Sequence, residues 1–308
     1  MLGKNYIHFK YLKLGLLILT WKGFFNWLSD KYFVSLQFLL HMGYKLNLSN
    51  PKTFNEKVQW MKVYDHNPLY NKLVDKYEVK NYVSKIIGEE FCVPNYAVWN
   101  NVSEINFDQL PNTFVLKTTH DWQGVYIIND KNQLTDQELE RIKKGLSNHL
   151  KQNLFFHNRE WAYKDVQPRI IAEKNIALNN FGEKIELLDY KFYCFNGEAV
   201  CLLVCSERKN GSANYYYFDK KGNMLPYNLQ SISAMINNVS IELPKNIQKM
   251  WKMAEKLSKN IREVRVDMYS VDNKIYVGEL TLYSSAGYDK DISYMADMKL
   301  GEKFKIDN

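Results

Sequence analysis

The sequence predicts an α+β protein. Helical and strand-like segments are mixed along the chain, and in the second half antiparallel hairpins dominate, marked by turn signals at Asn196-Gly197-Glu198 and Asp272-Asn273. That pattern favours α+β over a doubly wound parallel sheet.

The elements follow in order. Residues 28–46 carry Phe33, Leu36, Leu39 and Leu40 at helical spacing, with Ser29 or Asp30 as the cap. A Pro-bounded turn follows, and Thr53 with Glu56 makes a capping box for a short helix. Residues 71–88 read as one amphipathic helix closed by Gly88. "CVPNYAVW" is a short strand, and "FVLK" a second one ending at Lys117. "LTDQELERIKKGLSNHLKQNLF" is an amphipathic helix capped by Thr135 or Asp136. Strands are expected over 169–176, 186–196 and 198–206, then a hairpin around Lys221-Gly222. A helix with Met250, Met253, Ala254 and Leu257 on one face precedes a closing hairpin that turns at Asp272-Asn273.

At 308 residues, the chain has room for one large or about two ordinary domains. With 46% hydrophobic and 24% charged residues it has the composition of a folded protein. A net charge of +7 suits anionic small molecules or membranes. Nucleic acid is not expected, because outside the amino-terminal segment the charge is spread widely, and aromatics do not interleave with Lys and Arg. Cys92, Cys194, Cys201 and Cys205 form no CxxC, and no His pair stands at zinc spacing, so a structural metal is not expected and a reduced, cytoplasmic setting is.

The first fifty residues hold six lysines against Asp30 alone. Their apolar run "LGLLILTW" is shorter than the about 20 residues a membrane span needs, and no signal-peptide cleavage site follows it. Two readings stand side by side: residues 1–30 lie in the headgroup plane at the inner face of a membrane, or they form a helix packed on the main domain.

The chemistry concentrates in the last hairpin. In "VRVDMY", Arg265, Asp267 and Tyr269 share one strand face, and in "GELTLY", Glu279, Thr281 and Tyr283 alternate with Gly278, Leu280 and Leu282. Such a face is either solvated or a pair of carboxylates able to hold Mg²⁺ beside substrate phosphates. Other charges stand in similar places: Lys80 on a helix, Lys117 at a strand end, Glu173 and Lys174 after "RIIA", Asp189 and Lys191 on one strand face, and Arg208 at the end of its hairpin partner. Each also has an ordinary reading, as a surface lysine, a strand-edge charge or a cap. "VLKTTHDWQG" poses the same choice, between a phosphate-cradling loop and a plain hairpin turn. Neither a dinucleotide-binding fingerprint nor a Walker loop is present.

The order "DKYEVK", "FVLKTTHDWQGVYII", "RIIAEK", "DYKFYCFNGE", "VRVDMY" and "GELTLYSSAG" resembles the ATP-grasp superfamily. More closely, residues 42–79, with "NPKTFNEKVQWMK" at their centre, are similar to the TupA-like ATP-grasp proteins of bacterial surface-polysaccharide clusters. The resemblance runs from about residue 28 to 300. It implies two α+β subdomains whose antiparallel sheets clasp a nucleotide, plus a helical amino-terminal extension. The expected divisions are a basic helical segment (1–45), an α/β region (46–110), a lid subdomain (111–180) and a metal-binding subdomain (181–308).

The resemblance also implies roles. Lys80 and Lys117 would touch ATP phosphates beneath a loop closed by Gly124. Glu173, Lys174 and Ile176 would lie near the adenine hinge, with Asp189 beside the nucleotide. Asp267 and Glu279 would hold Mg²⁺, with Thr281 where many relatives have Asn. Arg265, Arg208 and Lys191 would meet charge developing on the transferred phosphoryl group. The loop departs from its relatives by having one glycine, since Trp122 and Gln123 adopt positive φ less readily. His120 is either a substrate-orienting group or a plain loop histidine.

The function so implied is an ATP- and Mg²⁺-dependent carboxylate–amine ligase acting through an acylphosphate. Its partners would be a uronic-acid-type carboxylate of a surface polysaccharide, or its precursor, and an amine. The alternatives are a glycosyltransferase using a sugar nucleotide, for which "VRVDMY" is a poor metal motif, and a non-catalytic module on membranes.

Overall fold

The computed structural model describes residues 2–178, 183–209 and 212–306, and the side chains of 12–178, 183–206 and 213–306. The fold is α+β, with two wholly antiparallel sheets among the described residues.

The helices that open the chain are α1 (Leu2–Trp21), α2 (Asp30–Met42), α3 (Phe54–Tyr64), α4 (Leu69–Val74) and α5 (Glu78–Ile87). Strands β1 (Asn95–Trp99), β2 (Phe114–Thr118) and β3 (Val125–Ile128) follow, then α6 (Asp136–Leu150), α7 (Phe155–Asn158) and β4 (Ile170–Glu173). These four strands form one sheet in the order β1-β4-β2-β3. Helix α6 closes its face, burying Ile142 and Leu146 against Phe114, Leu116, Ile170 and Ala172. Both expected capping boxes are present, Thr53 with Glu56 on α3 and Thr135 with Glu138 on α6.

The second sheet is built from β5 (Asp189–Phe195), β6 (Glu198–Lys209), β7 (Ser212–Phe218), β8 (Met224–Leu225), β9 (Val264–Val271) and β10 (Lys274–Thr281), with helices α8 (Leu229–Ile236) and α9 (Ile247–Leu257) between β8 and β9. Its order is β10-β9-β5-β6-β7-β8. The turns behave as the sequence suggests: Asn196, Gly197, Asp272 and Asn273 all have positive φ, as two-residue hairpin turns require. Helix α9 buries Met250, Trp251, Met253, Ala254 and Leu257 in the main core, which also takes Phe54, Val58 and Met61 of α3. Helix α10 (Tyr294–Lys303) ends the described chain.

Three expectations need correction. The helix expected over 71–88 is two helices, because the Asp75 carboxylate accepts the backbone N–H groups of Tyr77 and Glu78 at 2.8 and 3.2 Å and starts a new helix there. The buried face of α2 is Phe33, Val34, Gln37 and Phe38, whereas Leu39 is exposed. Polar Gln37 sits inside because it donates to Thr20 Oγ1 at 3.2 Å and to the His157 carbonyl at 2.8 Å. Helices α8 and α10 are also absent from the sequence reading.

The same Gln37–Thr20 contact settles how α1 sits. Thr20 and Leu17 are buried, and the helix packs on the protein through them. Its other face leaves Leu12, Leu14, Ile18, Leu19 and Trp21 exposed. Among the described residues, no helix is long and apolar enough to cross a membrane.

Candidate active site

A cavity of about 380 Å³ has walls from both sheets. Val115, Lys117, Val125 and Ile127 come from β2 and β3, Lys174 and Ile176 from the segment after β4, and Asp189, Lys191, Tyr269, Gly278 and Glu279 from the second sheet. Six of the residues singled out in the sequence therefore line one space: Lys117, Lys174, Ile176, Asp189, Lys191 and Glu279.

On the first sheet, Glu173 is buried between two lysines. Lys80 Nζ stands 2.5 Å from one carboxylate oxygen and Lys117 Nζ 2.6 Å from the other. Burial alone would raise the Glu173 pKa, but Lys117 and Lys80 overcome it and hold the carboxyl below its ordinary range. Lys80 also donates to the Val93 carbonyl at 2.6 Å and to Asn95 Oδ1. Its own pKa is lowered by burial, against the pull of Glu173.

On the second sheet, antiparallel register sets Lys191 opposite Asp267, and Asp267 opposite Glu279. A bulge at Gly278 restores that pairing. Glycine is needed there because a Cβ would come 2.6 Å from the Tyr269 ring. Asp267 is buried and fully engaged. Arg265 Nε and Nη2 each donate to it at 2.7 Å, and Lys191 Nζ lies 2.5 Å away. Burial would raise the Asp267 pKa, yet Arg265 and Lys191 bring it below the ordinary carboxylate value. Lys191 also pairs with Asp189 at 2.7 Å. Thr281 Oγ1 donates to Glu279 Oε1 at 3.2 Å and receives Arg265 Nη2 at 3.2 Å. The Glu279 side chain is 42% exposed, so it has room for another partner. Arg208 lies outside the described residues as far as its side chain is concerned.

The donor set tests an Mg²⁺ site. Glu279 and Thr281 offer hard oxygen atoms, and Asp267, opposite Glu279 in register, would add its own only where Arg265 or Lys191 gave one up. No group of three His, Cys, Asp or Glu able to hold a metal occurs among the described residues. Few protein oxygens beside a phosphate-sized space suit Mg²⁺, which keeps waters and shares substrate phosphates.

The loop after Lys117 is pinned rather than free. Asp121 accepts the Thr118 hydroxyl, the Gly124 N–H at 3.2 Å and a His149 Nδ1 contact at 2.5 Å. Gly124 is required by close approach, since a Cβ would meet Thr118 Oγ1. Neither Trp122 nor Gln123 adopts positive φ, so the loop turns without left-handed backbone at either position. His120 is buried, with Nε2 3.1 Å from the His149 carbonyl, and burial lowers its pKa. It serves as a loop-packing histidine.

Two contributors escape the sequence reading. Lys76, at the break between α4 and α5, lines the cavity and donates to the Asp121 carbonyl. Thr53, Asn55, Glu56, Gln59 and Lys62 of "NPKTFNEKVQWMK" are buried: Gln59 Nε2 donates to the Ala286 and Gly287 carbonyls at 2.9 Å each, and Lys62 Nζ to the Ala286 carbonyl at 2.8 Å. They hold the segment just beyond Thr281, where Tyr283, Ser285, Ala286 and Gly287 all have positive φ. "DK" before an apolar helix was the available signal for Lys76. The role of Gln59 and Lys62 needs long-range contacts.

Two facing antiparallel sheets with cations and carboxylates between them define an ATP-grasp architecture. Residues 56–305 match the model of the TupA-like ATP-grasp family, so the chain belongs to that family. The match starts later than residue 28, where the resemblance was expected to begin. No curated protein matches the chain. Among solved structures it is similar to the ATP-grasp ligase PsnB complexed with a minimal precursor, at 11% identity and a TM-score of 0.41 over 78% of this chain and 63% of that one. D-alanine–D-alanine ligase from Bacillus anthracis complexed with ATP gives 16% identity and a TM-score of 0.39, over 76% and 63%. Phosphoribosylamine–glycine ligase from Thermotoga maritima gives 13% and 0.41, over 70% and 48%. The chain thus spans less than two thirds of the length of each of these three.

Proposed function

We propose that this protein is an ATP- and Mg²⁺-dependent carboxylate–amine ligase. The observation that carries the reading is Glu279, directly opposed to buried Asp267 across β9 and β10 and sharing a cavity with Lys117 of β2 and with Lys76 between α4 and α5. Apolar Val115, Ile127, Ile176 and Leu187 offer a slot for the adenine ring, with Lys174 at its edge and Glu173 the residue before it in the chain. Lys117 and Lys76 then face the phosphates, and Lys80 keeps Glu173 in place. Glu279, Asp267 and Thr281 would hold Mg²⁺, which supplies charge neutralisation on the phosphate oxygens.

In the first step an acceptor carboxylate oxygen attacks the γ-phosphorus, and the bond to the β-phosphate bridging oxygen breaks, releasing ADP. In the second an amine nitrogen attacks the acyl carbon, phosphate leaves, and the nitrogen's proton passes to solvent. Lys191 and Arg265 act by fixed positive charge beside the transferred group, and Arg208 is assigned with them. Alignment and charge suffice, so no covalent nucleophile is called for.

The acceptor is proposed to be a uronic-acid-type carboxylate of a surface polysaccharide or its precursor, and the amine an amino acid or related compound. The divisions at residues 45, 110 and 180 are kept as the working domain boundaries. A further part of the proposal is peripheral attachment at the inner membrane face, supported by exposed Phe24 and Trp27 beside exposed Lys22 and Lys31.

The decisive experiment measures binding of ATP with Mg²⁺, and of a UDP-sugar, by thermal shift in the wild type, Lys117→Ala and Glu279→Ala. Stabilisation by ATP with Mg²⁺ that both variants lose is the expected result. Stabilisation by the UDP-sugar alone favours the glycosyltransferase reading. Sedimentation with anionic liposomes, compared between the full chain and one lacking residues 1–30, checks the membrane contact.

A further inference from the structure

Trp122 has two sides. One lines the cavity that holds Lys117 and Glu279, and the other lines a second cavity of about 250 Å³ reaching to Trp21 at the end of α1. Both indoles are largely open, at 63% and 50% exposure, which is unusual for tryptophan on a protein with a well-filled core. Around them stand the side-chain amides of Gln123, Gln152 and Asn158.

We infer that this second cavity is a saccharide subsite, holding a neutral face of the acceptor while its carboxylate crosses Trp122 into the nucleotide cavity. The inference rests on the proposed ligase reading and gives its acceptor a binding site.

The chemistry selects the ligand. An indole face carries partial negative charge and receives the weakly positive C–H edge of a pyranose ring. Side-chain amides both donate and accept, as sugar hydroxyls do. No Lys or Arg lines the cavity among the described residues, so it does not fit a phosphate group. Asp121 is the one carboxylate in the lining, and its oxygens are already bound by Thr118, Gly124 and His149, so it does not repel an acidic sugar at close range. The volume falls below the about 300–1,000 Å³ of drug-sized sites and suits a single sugar ring. Because Asp121 pins the loop from beneath, Trp122 is presented on a fixed support, which lowers the entropy cost of stacking.

The test is isothermal titration of the full chain with a hexuronate hexasaccharide and with a neutral hexasaccharide, each with and without the ATP analogue AMP-PNP and Mg²⁺. Wild type is expected to bind both saccharides, the acidic one more tightly. Trp122→Ala and Trp21→Ala weaken both by about tenfold or more, Trp122→Phe by about threefold or less, and the remote Ile236→Ala leaves them unchanged. Saccharide affinity unaffected by both tryptophan replacements, or no saccharide binding in a wild type that binds the nucleotide, overturns the subsite. Saccharide binding without nucleotide binding instead sinks the ligase reading and leaves the subsite standing.

Discussion

Asp267 and its cross-strand partner Glu279 have opposite surroundings. Asp267 is buried and grips Arg265 through two parallel hydrogen bonds of 2.7 Å, while the Glu279 side chain is 42% exposed toward the cavity. One carboxylate organises the cations, and the other remains available to a ligand.

That division predicts different consequences for two similar changes. Asp267→Asn leaves Arg265 and Lys191 buried against a neutral amide, and is expected to cost about 3–5 kcal/mol of stability. Glu279→Gln, at a half-exposed position, is expected to cost about 1 kcal/mol or less. Both are expected to reduce ADP release by about a hundredfold. Equal melting temperatures for the two variants would contradict the assigned burial roles.

The Lys80–Glu173–Lys117 chain predicts a separation of stability from binding. Glu173→Gln removes the charge between two ammonium groups and is expected to lower stability by about 3 kcal/mol, read by urea unfolding. Lys117→Met is expected to weaken ATP binding about 10- to 100-fold, because that lysine faces the cavity. Calorimetric titration that finds unchanged ATP affinity in Lys117→Met removes it from the phosphate site.

Buried Lys62 holds the Ala286 carbonyl, and burial lowers its pKa against the pull of Glu160. Lys62→Met relieves a buried charge but loses that donor, so the melting temperature is expected to change little. Gln59→Leu, which abandons two carbonyls, is expected to cost about 1–3 kcal/mol. In both variants the amides of residues 284–288 should exchange hydrogen faster than in the wild type. Unchanged exchange there would show that the left-handed turn supports itself.

Glu263 accepts the Tyr283 N–H at 2.9 Å and contacts the Ser284 hydroxyl at 2.9 Å. Burial raises its pKa from 4.5 to about 7. The folded protein therefore holds this proton more tightly than the unfolded chain. Its contribution to stability is full below pH 4.5 and is lost as pH rises to about 7, a span worth at most about 3 kcal/mol. Glu263→Gln, which resembles the protonated acid, should flatten that fall when urea unfolding is compared at pH 5 and pH 8. A variant whose stability declines with pH as steeply as the wild type would rule Glu263 out as the source.

Several features were legible in the chain because they depend on neighbours in sequence. The capping boxes of Thr53 and Thr135, the hairpin turns at 196–197 and 272–273, and the apolar face of α9 each arise within a few residues. The charged face of β9 was legible for the same reason, since strand alternation acts locally. Helix 71–88 was misread because a side-chain cap by Asp75 outweighs an otherwise continuous helical spacing.

By itself, then, the sequence determined an α+β chain, its hairpins, and a set of charged residues whose order resembles the ATP-grasp superfamily. Tertiary structure alone decided that Glu173 would sit between Lys80 and Lys117, that Lys76 would face the cavity, and that Gln59 and Lys62 would brace a turn more than 200 positions away. The physical reason is desolvation: a buried polar group must find its partner inside the protein, and which partner it meets is set by strand register and packing rather than by local spacing.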